Sequence, residues 1–139
     1  MREELAEALA AEHAAIFAYG VIGARLDGDE ADAALAAEEA HRSRRDALRQ
    51  RLTERGVEAP VAAAGYELPF EVTGAGEARR LAVLVEERVG AVWRAALPAV
   101  NGQDRAEALD ALVAAAIEAT GWRRAAGVDP ATIPFPGRP

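Results

Sequence analysis

The sequence predicts an all-α fold, an antiparallel bundle of four helices. Apolar residues recur every three to four positions in four separate segments, which is the periodicity of amphipathic helices. No stretch of useful length alternates apolar and polar residues as a half-buried strand does. The links between the segments are short, long and short, so we expect two helical hairpins joined by a long crossover between helices 2 and 3.

Glycine, proline and asparagine mark the ends of the helices. Helix 2 stops at Gly56, helix 3 is broken by Pro98, and helix 4 finishes at Gly127, because glycine suits a helix C-terminus and proline cannot continue a helix. The whole chain, 1–139, is expected to form one domain, with the tail 128–139 lying extended over the bundle. The predicted helices span about 3–26, 30–55, 77–97 and 103–126.

The link from Gly56 to Gly76 is unusually long for a compact domain. A helix of about 24 residues is roughly 36 Å long, and twenty extended residues reach farther than that at about 3.3–3.6 Å each. The link can therefore run the full length of the bundle. Helices 2 and 3 should then point in the same direction, as in bundles with one long crossover.

Composition restricts the possible functions. Sixteen arginines and no lysine face 23 acidic residues, which gives a net charge of −7 and disfavours binding to nucleic acids or anionic membranes. The chain has no cysteine, so disulfides, thiolate metal sites and a cysteine nucleophile are excluded. Acidic residues, among them Glu3, Glu4 and Glu12, interrupt the apolar pattern of the first helix, which argues against a signal peptide or a membrane span. We expect a cytoplasmic protein.

Polar residues interrupt the predicted core at one level of the bundle. Glu12 lies on the apolar seam of helix 1, and Glu38 and His41 lie on the apolar seam of helix 2. Glu86 lies at the edge of the apolar stripe of helix 3. Glu38 and His41 are three positions apart and share a helix face. Buried carboxylates are costly unless they are paired or bound to metal. The cluster therefore needs a cation, either a metal ion or a guanidinium.

Arg45 is the guanidinium that the pattern places nearest to this cluster. It lies one turn from His41 on the same face and could neutralise the glutamates through bidentate hydrogen bonds. In that interpretation the cluster is a structural ion-pair network without metal. His13, about 100° around the helix from Glu12, is interpreted as a boundary residue bonded to a neighbouring helix. Tyr19 is interpreted as a buried tyrosine with a bonded hydroxyl, and Trp93 and Trp122 as anchors of the core or of a dimer contact.

Several sequence segments carry a resemblance to a known superfamily. The arrangement resembles the ferritin-like superfamily, whose di-metal members place Glu on helices 1 and 3 and Glu-x-x-His on helices 2 and 4. Glu12, Glu38 with His41, and Glu86 or its neighbour Glu87 match this set, whereas helix 4 offers Glu118 with glycine at the histidine position. The segments 11–20, 41–46 and 66–70 are similar to a small alanine-rich ferritin-like family of unknown function. The resemblance implies the fold and no activity.

Three functional hypotheses follow from these observations. The favoured one is a metal-free binding or interaction module with no cofactor and a degenerate di-metal site, acting as a homodimer. The alternative is an iron or manganese oxidoreductase or metal-handling protein whose ligands are Glu12, Glu38, His41 and Glu86. The third is a small-molecule pocket between the helices, lined by Phe17, Tyr19, Trp93 and the polar cluster, with the long loop as a lid. Whether the chain is an enzyme is left open.

Overall fold

The computed structural model contains four long helices and describes residues 2–138, apart from the side chain of Arg2. Every predicted helix is present, and each end lies within two residues of its predicted position. One turn of 3-10 helix, η1, follows the third helix, and no strand occurs among the described residues. The helices are α1 Arg2–Ala24, α2 Gly28–Glu54, α3 Ala75–Ala96 and α4 Gly102–Ala125, with η1 at Leu97–Ala99.

The helices form a bundle in which α1 packs against α2 and α3, and α3 packs against α4. Two ion pairs define the relative directions. Arg79 near the start of α3 binds Glu30 near the start of α2 through two hydrogen bonds of 2.7 Å. Arg55, just after α2, binds Asp104 in the first turn of α4. Helices α2 and α3 are therefore parallel and α2 and α4 antiparallel, which confirms the predicted connectivity.

The long loop, residues 55–74, lies along the bundle and is held against α1. The His13 side chain donates from Nε2 to the carbonyl oxygen of Pro60 at 3.1 Å. The rings of Phe17 and Tyr66 lie 5.4 Å apart between centroids, and Val72 is buried at the end of the loop. His13 was predicted to bond to a neighbouring helix, but its partner is the loop, because α1 faces the loop on that side.

Alanine supplies much of the core, so the helix axes can approach closely. Helix α1 has a central place in it because it packs on two helices. By length and composition, Glu3–Ala24 is apolar enough to cross a membrane, but half of the most apolar stretch within it is buried inside the bundle. Its apolar character is thus explained by its place in the core. The largest fully buried apolar side chains are Leu5, Leu9, Tyr19, Ile22, Leu52, Leu81 and Trp93.

The tail that follows α4 folds back over α3 and α4 in bends and a turn, where an extended segment was predicted. The Arg94 side chain donates to the carbonyl oxygen of Pro136 at 2.9 Å. Gly137 has φ +79° and packs so tightly that a Cβ there would lie 2.6 Å from the carbonyl oxygen of Gly90. Only glycine fits this contact. Met1 and Pro139, the ends of the predicted domain, lie outside the described residues.

Candidate functional site

His41 lies at the centre of a buried polar cluster in the middle of the bundle. Its Nδ1 lies 2.5 Å from Glu12 Oε2, and its Nε2 lies 3.0 Å from Glu86 Oε2. All three side chains are almost completely buried. An imidazole that meets a carboxylate at each nitrogen is best satisfied as an imidazolium, since only that form donates from both nitrogens.

Glu12 is the most heavily bonded member of the cluster. Besides His41, its Oε1 accepts hydrogen bonds from Arg44 Nη1 at 3.1 Å and from Trp93 Nε1 at 3.0 Å. Both oxygens of this buried carboxylate are thus satisfied. An indole can only donate, so the Trp93 side chain suits an ionised carboxylate at this position.

Glu86 is bonded on one oxygen only. Its Oε2 accepts hydrogen bonds from His41 and from the hydroxyl of Tyr19, and that hydroxyl accepts one from Trp122 Nε1 at 3.0 Å. Its Oε1 is buried and has no hydrogen-bond partner among residues 2–138. The Trp122 contact extends the network to α4, so that all four helices contribute to it.

The pKa values of the cluster follow from burial and from these contacts. Burial by itself would lower the pKa of His41, but the hydrogen bonds to Glu12 and Glu86 and their charges outweigh it and raise the pKa to about 9. Burial would likewise raise the pKa of Glu12, yet the bond to His41 and the charges of His41 and Arg44 leave it lowered. Burial and the charge of Glu86 raise the pKa of Tyr19, which keeps its hydroxyl protonated.

The formal charges of the cluster sum to zero. Glu12 and Glu86 are negative, and the His41 imidazolium and the Arg44 guanidinium are positive. Pairing of this kind offsets the cost of moving the carboxylates out of water. The arginine that pairs with Glu12 is Arg44, so the prediction that Arg45 lies at the cluster was wrong. Arg45 instead pairs with Asp46 at the surface, at 2.9 Å.

Glu38, the fourth predicted ligand, lies away from the cluster. Its carboxylate pairs with Arg42 one turn along the same helix, at 2.9 Å, and approaches Gly20 of α1. The buried positions of α2 include Ala37 and His41, so the core face is centred slightly to one side of the predicted seam. Because the observed core face is rotated about the helix axis relative to the predicted one, Glu38 and Arg45 lie on one flank of it and Arg44 lies on the other.

The donor set of this cluster does not fit a metal ion as arranged. A ligand imidazole must direct a nitrogen lone pair at the ion, whereas both nitrogens of His41 face carboxylate oxygens at hydrogen-bond distance. Both oxygens of Glu12 are also engaged. Within the described part of the chain, no group of three or more Asp, Glu or His side chains is arranged to hold a metal. The structure thus brings together Glu12, His41 and Glu86 as partners of one another.

Glu118 stands at the edge of the cluster on α4. Its side chain is exposed, and it lies on the flank of the buried face of α4 that Ala115, Ala119 and Trp122 help to form. Its pKa is nevertheless raised, by partial desolvation and by the negative charge of Glu86. Glu118 is therefore near enough to Glu86 to sense its charge, although it is not enclosed in the core.

The concave surfaces of the molecule differ from the predicted interhelical pocket. Of the three predicted aromatic lining residues, Tyr19 and Trp93 are fully buried, and Phe17 borders a shallow depression of about 600 Å³. A larger groove of about 950 Å³ lies between α3, α4 and the tail. Its walls are mainly apolar, and its lining includes Glu86, Leu112, Val113, Ile117, Ile133 and Phe135.

Comparison with known proteins places the chain in a family. Residues 4–139 match the model of a domain of unknown function, DUF4439. A crystal structure of a conserved hypothetical protein, rv2844, from Mycobacterium tuberculosis is similar at 42% sequence identity, with a TM-score of 0.85. The similarity covers 88% of this chain and 94% of that one. No curated protein matches significantly. The chain therefore belongs to the DUF4439 family of helical domains of unknown function.

Proposed function

We propose that this chain is a ferritin-like bundle in which protein cations stand where di-metal members of that superfamily hold metal ions. The His41 imidazolium and the Arg44 guanidinium supply the positive charge that the carboxylates of Glu12 and Glu86 require. The protein then works as a metal-free binding or interaction module.

One observation carries this proposal: each ring nitrogen of His41 faces its own carboxylate, at 2.5 Å and 3.0 Å. A metal ion could bind His41 only after the ring had lost a proton and one carboxylate had moved away. The raised pKa of His41 opposes the first change, and the bonds of Glu12 to Arg44 and Trp93 oppose the second. A proton therefore competes well with a metal at this position.

An iron or manganese site is the second candidate, and one observation favours it. Glu86 Oε1 is a buried oxygen without a partner among the described side chains, and Glu118 lies close enough for Glu86 to raise its pKa. Two carboxylates that disfavour each other's charge gain from a shared cation. Such a site would use Glu86 and Glu118, with the remaining positions open to water.

Metal retention distinguishes the two candidates. The tag-free protein would be incubated anaerobically with Fe(II) or Mn(II), desalted, and analysed for metal by mass spectrometry. We expect less than about 0.1 equivalent per chain. One or two equivalents, lost in both Glu86→Gln and Glu118→Gln but kept in Glu38→Gln, would refute the metal-free proposal. Glu38→Gln is the matched control because Glu38 lies outside the cluster.

The protonation state of His41 gives an independent readout. Nitrogen-15 NMR of the histidine side chains should show both ring nitrogens of His41 protonated at neutral pH, since its pKa is raised to about 9. A neutral His41 ring at pH 7 would contradict the proposal that the His41 imidazolium supplies the positive charge in place of a metal ion, whatever the metal content.

A further inference from the structure

The outward face of α4 is apolar where a surface helix is usually polar. The buried side of this helix is formed by Asp104, Ala108, Ala111, Ala115, Ala119, Trp122 and Arg123. At 100° per residue, Ile117 lies nearly opposite the centre of this side, and its side chain is 67% exposed. Val113 and Gly121 flank it by one turn on either side, and Val113 is also about half exposed.

Charged residues of opposite sign end this apolar face. Asp110 lies seven positions before Ile117, and Arg124 lies seven positions after it. Seven residues are nearly two helical turns, so all three residues share one face. Both charged side chains are exposed, and neither has an ion-pair partner in the part of the chain that the structure describes. We refer to Asp110, Val113, Ile117, Gly121 and Arg124 as the α4 face.

The α4 face is complementary to itself. If two copies pack antiparallel about a twofold axis through Ile117, Asp110 of one copy lies opposite the partner's Arg124, and the reverse pair forms by symmetry. Val113 then lies opposite the partner's Gly121. Apart from the adjoining backbone of α4 and the two chain neighbours, no atom of the described residues lies within 4 Å of a Cβ placed on Gly121. Internal packing therefore does not account for the glycine, and a second helix could approach closely there.

We propose that two copies of this chain associate through the α4 face, with α4 antiparallel to its counterpart and Ile117 on the twofold axis. This inference deepens the interaction role proposed above by naming the partner as a second copy. The apolar groove beside α4 adds to the area, because Ile133 and Phe135 of the tail line it and are also exposed. Such a contiguous apolar surface with a charged rim is typical of protein interfaces.

Sedimentation equilibrium of the full chain tests the association. The wild type should sediment at about twice its 14.6 kDa, and Ile117→Glu should be monomeric with an unchanged helical circular dichroism spectrum. Leu35→Glu is the matched control, because Leu35 is an exposed apolar residue of α2, 54% accessible, and this variant should stay dimeric. A wild-type chain that remains monomeric at about 100 μM, or a dimeric Ile117→Glu, would overturn the proposal.

Charge reversal tests the register. Asp110→Arg and Arg124→Asp each place like charges opposite one another at two symmetric positions, so each should weaken the dimer roughly tenfold or more. The double variant restores opposite charges and should recover most of the wild-type affinity. If the double variant is as weak as the single ones, the antiparallel pairing about Ile117 is refuted. Because none of these residues touches the His41 cluster, the outcome is independent of the metal analysis.

Discussion

Raising the pH from about 6.5 to about 9 should destabilise this bundle, because His41 holds a proton when folded that it releases on unfolding. The folded pKa of His41 is raised to about 9, whereas an unfolded histidine titrates near 6.5. The stabilisation is fully present below pH 6.5 and is lost as the pH rises through 9. Between these values the native state binds about one extra proton, so the free energy of unfolding falls by ~1.4 kcal/mol per pH unit, about 3 kcal/mol in total.

Urea denaturation followed by circular dichroism, at intervals between about pH 6 and pH 9.5, measures this slope directly. The composition simplifies the measurement, because the chain has no lysine, no cysteine and only two histidines, so that besides them the α-amino group is the main group expected to titrate in this range. The range stops below pH 10 because the raised pKa of Tyr19 adds a second loss of stability in the same direction there.

Two substitutions separate His41 from the rest of the chain. His41→Gln keeps polar atoms in the cluster and removes the proton, so its stability should be nearly independent of pH in this range. His13→Gln is the matched control: it removes the other histidine, which bonds to the loop carbonyl of Pro60, and should keep the wild-type slope. A flat wild-type profile, or an equal slope in His41→Gln, would refute the assignment of the proton to His41.

Three further substitutions test other contacts. Tyr19→Phe removes the hydroxyl that accepts from Trp122 and donates to the buried carboxylate of Glu86, and should lower the free energy of unfolding by about 1–3 kcal/mol in urea; an unchanged midpoint would contradict the network. Asp104→Asn weakens the pairs that join α2 to α4 and should lower the free energy of unfolding by about 1–3 kcal/mol by calorimetry; an unchanged melting temperature would contradict a stabilising role for these pairs. Gly137→Ala forces a Cβ against the Gly90 carbonyl, so limited proteolysis should cleave the tail faster than in the wild type. The free energy of unfolding of the bundle should change by no more than about 0.5 kcal/mol. A tail cleaved at the wild-type rate would show that the backbone at this contact can shift to accept the Cβ.

The helices and their connectivity could be predicted because their signals are local or depend only on chain length. Gly56, Pro98 and Gly127 end helices for reasons of backbone conformation that hold in any environment. The direction of α3 relative to α2 follows from the reach of the loop, which is simple geometry. The ion pair between Arg79 and Glu30 is a consequence of that geometry.

The candidate site was predicted only in part, because periodicity fixes the centre of a helix face to no better than a few tens of degrees, which is less than the roughly 100° between successive residues. Ala37 or Glu38, and Arg44 or Arg45, fit the apolar pattern of α2 almost equally well. A single rotation of the core face therefore accounts for both misplaced residues. The hydrogen bond from Trp93 could not be inferred, since a tryptophan in an apolar stripe gives no sign of where its N–H points.

The alanine-rich packing gives the polar network a consequence for the uniqueness of the fold. Helices faced with alanine present smooth surfaces, so many axial staggers bury similar apolar area. Sliding one helix by a single turn, about 5.4 Å, would carry its member of the network out of hydrogen-bonding range and leave a buried charge without a partner. The contacts among Glu12, His41, Glu86 and Trp122 thus fix the axial positions of all four helices relative to one another. They select one stagger from a set that hydrophobic burial alone would leave nearly degenerate.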